Sequence, residues 1–163
     1  MRSILTYFFS FILLILIQVF ILNNINLFGY INPFLYLLFI LSLPFKIKHT
    51  PLIIISFLVG YIVDLLSGGI IGLHAASALL IGFIRPFIIR GISSNESEYD
   101  TKSNPSLNNM GFKWYITYCM LLVGIHHLVY YYLECFTFSS FFTTFFQSLF
   151  NAIFTIFVII IYQ

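Results

Sequence analysis

The sequence predicts an all-α membrane protein: one bundle of six transmembrane helices with both termini in the cytoplasm. Three observations predict it. First, of 163 residues 61% are apolar and 7% charged, against roughly 25% charged in an ordinary soluble domain, too few to cover a water-facing surface. Second, the apolar residues fall into six runs parted by polar or turn-forming breaks. Third, if the first run leaves the cytoplasm, the Lys and Arg residues of the connections all fall on one side, the bias that orients membrane proteins.

A bilayer core takes about 20 apolar residues per helix, with a range of roughly 17 to 25. Residues 4–22 form the first run; they follow the single basic Arg2 and lack a small-residue cleavage site, which favours a retained helix over a signal peptide. A polar, turn-rich stretch, residues 23–32, leads to Pro33, whose missing N–H suits a helix start, and to the second run, 33–45. Lys46, Lys48 and His49 part it from a third run, 52–66, which Ser67-Gly68-Gly69 separates from a fourth, 70–89. The second and third runs are short and read as tilted or thinned spans, because a re-entrant hairpin would strand Lys46 and Lys48 at membrane depth. The hydrophilic loop 93–111 carries Glu96, Glu98, Asp100 and Lys102, and the fifth and sixth runs follow at 114–133 and 138–162. Six crossings place Arg2, Lys46, Lys48, Arg90, Lys102 and Lys113 inside the cell, with Arg85 near the inner end of its helix, where it snorkels.

Several functions are excluded on composition. A net charge of +2 provides no basic face for nucleic acid, and Cys119 and Cys135 fit no disulfide or metal spacing. His126 and His127 diverge by about 100° on a helix, so they do not share a metal. No nucleophile elbow, Walker loop, HExxH or CxxC is present. We therefore expect no catalysis, no metal and no cofactor.

Ionisable residues at membrane depth cost about 2.5 to 3.5 kcal/mol each, so each calls for a partner. Helical rise puts Asp64, His74, His126, His127 and Glu134 in one zone in the outer half. His127, Tyr131 and Glu134, spaced four and three apart, share a face. Two readings follow: a linked proton or ligand site with Asp64 as counter-charge to a histidine, and, carrying more weight, hydrogen bonds that lock helices together. Ser56, Gly60, Asp64 and Ser67 form a small or polar stripe on the third run. Gly68, Gly72 and Ala76 continue it as small-xxx-small, which reads as close packing. On the sixth run Ser140, Thr144, Gln147, Asn151 and Thr155 form one polar stripe facing the interior, a wet cavity or a partner helix. The expected structure-determining residues are Asp64, Gly68, Gly72, His74 and Arg85; the partner-facing candidates are Ser140, Thr144, Gln147 and Asn151.

Two stretches, Gln18-Val-Phe-Ile-Leu-Asn-Asn-Ile-Asn-Leu-Phe-Gly-Tyr-Ile-Asn-Pro33 with its apolar continuation, and Gly60-Tyr-Ile-Val-Asp64-Leu-Leu-Ser-Gly68-Gly-Ile-Ile-Gly72-Leu-His74, resemble the rod shape-determining MreD family. With Arg85-Pro86-Phe87 they cover about half the chain; the last third matches only in hydropathy. The resemblance implies a non-catalytic scaffold of the bacterial inner membrane that associates with the bitopic protein MreC. In the elongation machinery it further implies association with MreB, RodA and a class B penicillin-binding transpeptidase. The family is also similar to the six-helix substrate-binding subunits of energy-coupling factor transporters, which implies the fold and supplies a rival function, solute binding.

Overall fold

Helix boundaries in this chain follow its Gly, Pro and Asn residues. The computed structural model describes residues 4–24, 32–93, 104–136 and 141–163, and among these the chain is helical with no strand. Helix α1 (Ile4–Leu16) runs into a π turn (Ile17–Ile21) and a 3-10 turn (Leu22–Asn24). A six-residue helix, α2 (Leu37–Ser42), follows, then α3 (His49–Ser67) and α4 (Leu73–Ile92). The four-residue α5 (Leu107–Met110) precedes α6 (Phe112–Cys135) and α7 (Phe141–Tyr162). Four helices, α3, α4, α6 and α7, are long and apolar enough to cross a membrane. Their outward faces carry rows of exposed large apolar side chains, Phe83 and Phe87 on α4 and Phe142, Phe146 and Phe150 on α7 among them. This is a membrane protein.

Several boundaries and roles differ from the sequence expectation. Helix α3 takes in His49, Thr50 and Pro51 and reaches 19 residues, about 28 Å; the proline sits in the first turn, where its lost donor matters little. Gly68 and Gly72 have φ of +68° and +107° and nothing lies within 4 Å of where a Cβ would project. Their absent side chains therefore serve the left-handed turn that ends α3 and opens α4, not helix packing. The close approach is at Gly60, where a Cβ would run into the backbone carbonyl of His74, and at Gly82, where it would meet Ser56.

The largest difference is in the second run. Only Leu37–Ser42 is helical, yet almost all of residues 33–43 are buried, Tyr36 and Ile40 completely. Helix α3 packs on α4, α4 on α6 and α6 on α7, while α1 touches α2, so the broken segment lies inside the bundle. Thirteen residues even as a continuous helix rise only about 20 Å, short of a bilayer core of roughly 30 Å. Broken backbone is tolerated at membrane depth only where protein supplies its hydrogen bonds. The polar side chains of the surrounding helices supply them.

Candidate functional site

One end of the broken segment lies beside the α3–α4 turn. The π turn that continues α1 carries Gln18, which is fully buried; its Nε2 donates to the Pro33 carbonyl at 3.1 Å and its Oε1 accepts from the Tyr36 N–H at 3.3 Å. Gln18 also donates to Asn23 Oδ1 at 2.8 Å, and Asn23 donates to Ser67 Oγ at 2.7 Å, which ties α1 to the end of α3. From α7, Asn151 Oδ1 accepts from the Asn32 N–H at 2.6 Å and Thr155 Oγ1 accepts from the Phe34 N–H at 3.0 Å. Thr155 then donates to His127 Nε2 at 3.1 Å, because His127 Nδ1 faces the Val123 carbonyl at 2.9 Å and must carry the proton.

Tyr36 closes the cluster. Its hydroxyl lies 3.1 Å from His74 Nδ1 and 2.8 Å from His126 Nε2, so α2 is pinned between α4 and α6. Phe34 packs edge-on to His74 and stacks on His127, each at 4.8 Å between ring centroids. Asp64 is 2% exposed and has no histidine side chain as partner; its oxygens accept from the backbone N–H of Gly72, His74 and Ala75 at 2.9, 3.0 and 3.0 Å. It caps α4 from another helix, satisfying amides that the helix start leaves open. Asn32 Oδ1 and His126 Nδ1 are buried without a partner among the described residues. A cavity of about 180 Å³ opens here between Asn32, Asp64, Ser67, His74 and Tyr130.

The other end of the segment meets Arg85, which is 1% exposed and so does not snorkel. Its Nε donates to Tyr118 Oη at 2.7 Å, and its Nη2 donates to the carbonyls of Leu41, at 3.4 Å, and Leu43. Tyr118 in turn donates to the Leu41 carbonyl at 3.1 Å. The guanidinium thus sits on the C-terminal end of α2, where carbonyl dipoles favour a cation. It lies inside because the broken segment presents carbonyls there that no helix satisfies.

Most of the expected residues are therefore brought together, though in altered roles. Asp64, His74, His126 and His127 lie in one cluster around Phe34 and Tyr36. Glu134 is exposed, and no hydrogen bond joins it to His127 or Tyr131 among the described residues. Thr144 and Asn151 are buried; Thr144 bonds to Cys135 Sγ at 3.4 Å and Asn151 to Asn32 and the Gln147 carbonyl. The partner-facing reading of those two is corrected: both are buried, Asn151 because the backbone at Asn32 needs its hydrogen bond and Thr144 because it packs inward against Cys135 of α6. Gln147 is half-buried, and Ser140 lies outside the described residues, as does most of loop 93–111. Sequence reasoning does not reach Gln18, Tyr36 and Tyr118 as site residues; a glutamine within an apolar run is the signal it offers for the first of them. Among the described residues no three His, Cys, Asp or Glu side chains group as metal ligands.

The bundle defines a helical membrane protein whose polar interior holds a broken segment of its own chain. No family model, curated protein or solved structure matches it.

Proposed function

We propose that this chain is a non-catalytic scaffold of the bacterial inner membrane, as its MreD resemblance implies. In this reading α1, the broken segment and the four long helices make six crossings with both termini in the cytoplasm, and the bundle binds an MreC-like bitopic protein. It thereby links the periplasmic and cytoplasmic parts of the elongation machinery, MreB, RodA and a class B transpeptidase included. One observation carries this reading: the buried polar side chains beside the α3–α4 turn are bonded chiefly to the chain itself. The cavity left there, about 180 Å³, is smaller than the roughly 300 to 1,000 Å³ of small-molecule pockets. The stretches that carry the resemblance are also those that hold the broken segment, through Gln18, and that cap α4, through Asp64.

A second reading, solute binding, is favoured by a cavity of about 540 Å³ at the opposite end, between Tyr7, Ser10, Phe39, Asn109 and Gln163. Affinity purification from native membrane separates the two. A scaffold is expected to bring down a single-span coiled-coil protein; a solute binder is expected to keep a small molecule through detergent. Gln147→Leu is expected to lower recovery of the partner, and Asn151→Leu to lower stability instead. Recovery of a bound solute with no protein partner would overturn the scaffold.

A further inference from the structure

Arg85 is the most deeply buried cation among the described residues, and its hydrogen bonds leave it incompletely neutralised. Nε and Nη2 are used on Tyr118, Leu41 and Leu43, all of them neutral. The two Nη1–H donors have no hydrogen-bond partner among the described residues. The acids among those residues are Asp64 and Glu134. Asp64 is 15 residues along α3 from His49, and Glu134 is 16 along α6 from Tyr118, which is more than about 20 Å in each case. Dipoles lower the energy of a buried charge, but an opposite charge is what balances it.

On the open side of Arg85 lies a cavity of about 180 Å³, lined also by Phe45, His49, Leu52, Pro86 and Arg90. Two further features favour an anion there. Arg90 is exposed at its rim, with Lys46 and Lys48 exposed on the connection that leads into α3. The first turn of the 19-residue α3 borders the cavity, and its N-cap, Lys48, makes no side-chain capping bond, so the positive end of the helix dipole is left uncapped. Beside it, His49 stacks on Phe83 at 5.4 Å and meets Phe87 edge-on at 5.8 Å, and both phenylalanines are exposed on the apolar outer face.

We infer that this cavity binds a phosphate-bearing anion, with Arg85 and Arg90 as its ligands. An anionic phospholipid headgroup fits the setting, since its acyl chains would run along Phe83 and Phe87; a free phosphate has the same headgroup chemistry. The inference does not depend on the scaffold reading, and a protein with no MreC-like partner would still show it.

The full chain is purified in an uncharged maltoside, stripped of lipid, and mixed with phosphatidylglycerol, phosphatidylcholine or sodium phosphate. Thermal unfolding and native mass spectrometry are then read. Phosphatidylglycerol is expected to raise the unfolding temperature and to survive as an adduct, while phosphatidylcholine, whose ammonium would face Arg90, does neither. Arg90→Gln, on an exposed residue, is expected to weaken binding about fivefold, and Arg85→Gln to abolish it if that variant folds. Stabilisation by sodium phosphate alone also supports the site and assigns it to a free anion. Equal binding of both lipids, or wild-type binding by Arg90→Gln, would overturn the inference.

Discussion

The two ends of the broken segment are held by different chemistry. Beside the α3–α4 turn, neutral donors and acceptors answer one another: Gln18 bonds both a carbonyl and an N–H, Thr155 takes one proton and gives another, and Tyr36 bridges two imidazoles. The one charge there, Asp64, meets three amides at a helix start. At the far end one guanidinium answers two carbonyls and a phenol and faces no acid among the described residues. A neutral network divides its bonds over many groups, so the loss of one is local. A single cation gathers several acceptors to itself, so its loss weakens them together and leaves the Leu43 carbonyl without its side-chain donor.

Replacing Arg85 is therefore the sharpest way to break this comparison. Arg85→Leu strips the Leu43 carbonyl of its side-chain donor and leaves Tyr118 and the Leu41 carbonyl with only each other, in a water-poor interior where each unmet group costs about 1 to 3 kcal/mol. Relief of the guanidinium's own desolvation returns part of that, leaving a net loss of about 3 kcal/mol or more. Arg85→Lys is expected to fare little better, since one ammonium does not reproduce the planar fork that spans three acceptors. Equilibrium unfolding in mixed micelles checks both; wild-type stability in Arg85→Leu would mean that the carbonyl end of α2 needs no cation.

Asp64→Ala comes next, with an expected loss of about 2 kcal/mol from three uncapped amides at a helix start. Asp64→Asn keeps one acceptor oxygen and is expected to lose about half as much, in the same unfolding measurement. An Asn variant as unstable as the Ala variant would mean that the negative charge, and not hydrogen-bond acceptance, is what α4 needs.

How much of this the sequence discloses follows from the range of each interaction. The four long helices are legible because their ends are marked locally, by Pro51 in a first turn and by Gly68 and Gly72 in the left-handed turn between α3 and α4. The polar stripe of α7 is legible as a stripe, since Thr144, Asn151 and Thr155 recur at helical spacing. Its direction is not, because the groups it serves, at Asn32 and Phe34, are about 120 residues away. Residues 33–45 read as a spanning helix because apolar composition reports burial, and a buried segment of turns around one short helix is as apolar as a continuous buried helix. Arg85 reads as a snorkelling residue for a related reason: the carbonyls that draw it inward exist only once α2 has broken.

Tyr36→Phe sets the lower limit of the comparison. A phenol has one proton to give and accepts in return, so between His74 Nδ1 and His126 Nε2 one ring accepts from it and the other donates to it. Without the hydroxyl, His126 has neither ring nitrogen bonded, because its Nδ1 already lacks a partner among the described residues. His74 keeps its backbone tie to Asp64 and still borders the small cavity. The loss is one neutral bridge, with an expected cost of about 1 kcal/mol, below that of Asp64→Ala. Most of that cost is the stranded imidazole, so Tyr36→Phe made in a His126→Phe background is expected to cost less than it does alone, and a double-mutant cycle measures the difference. If Tyr36→Phe instead destabilised the bundle as much as Arg85→Leu, the neutral end would be as dependent on one group as the charged end, and the contrast between them would fail.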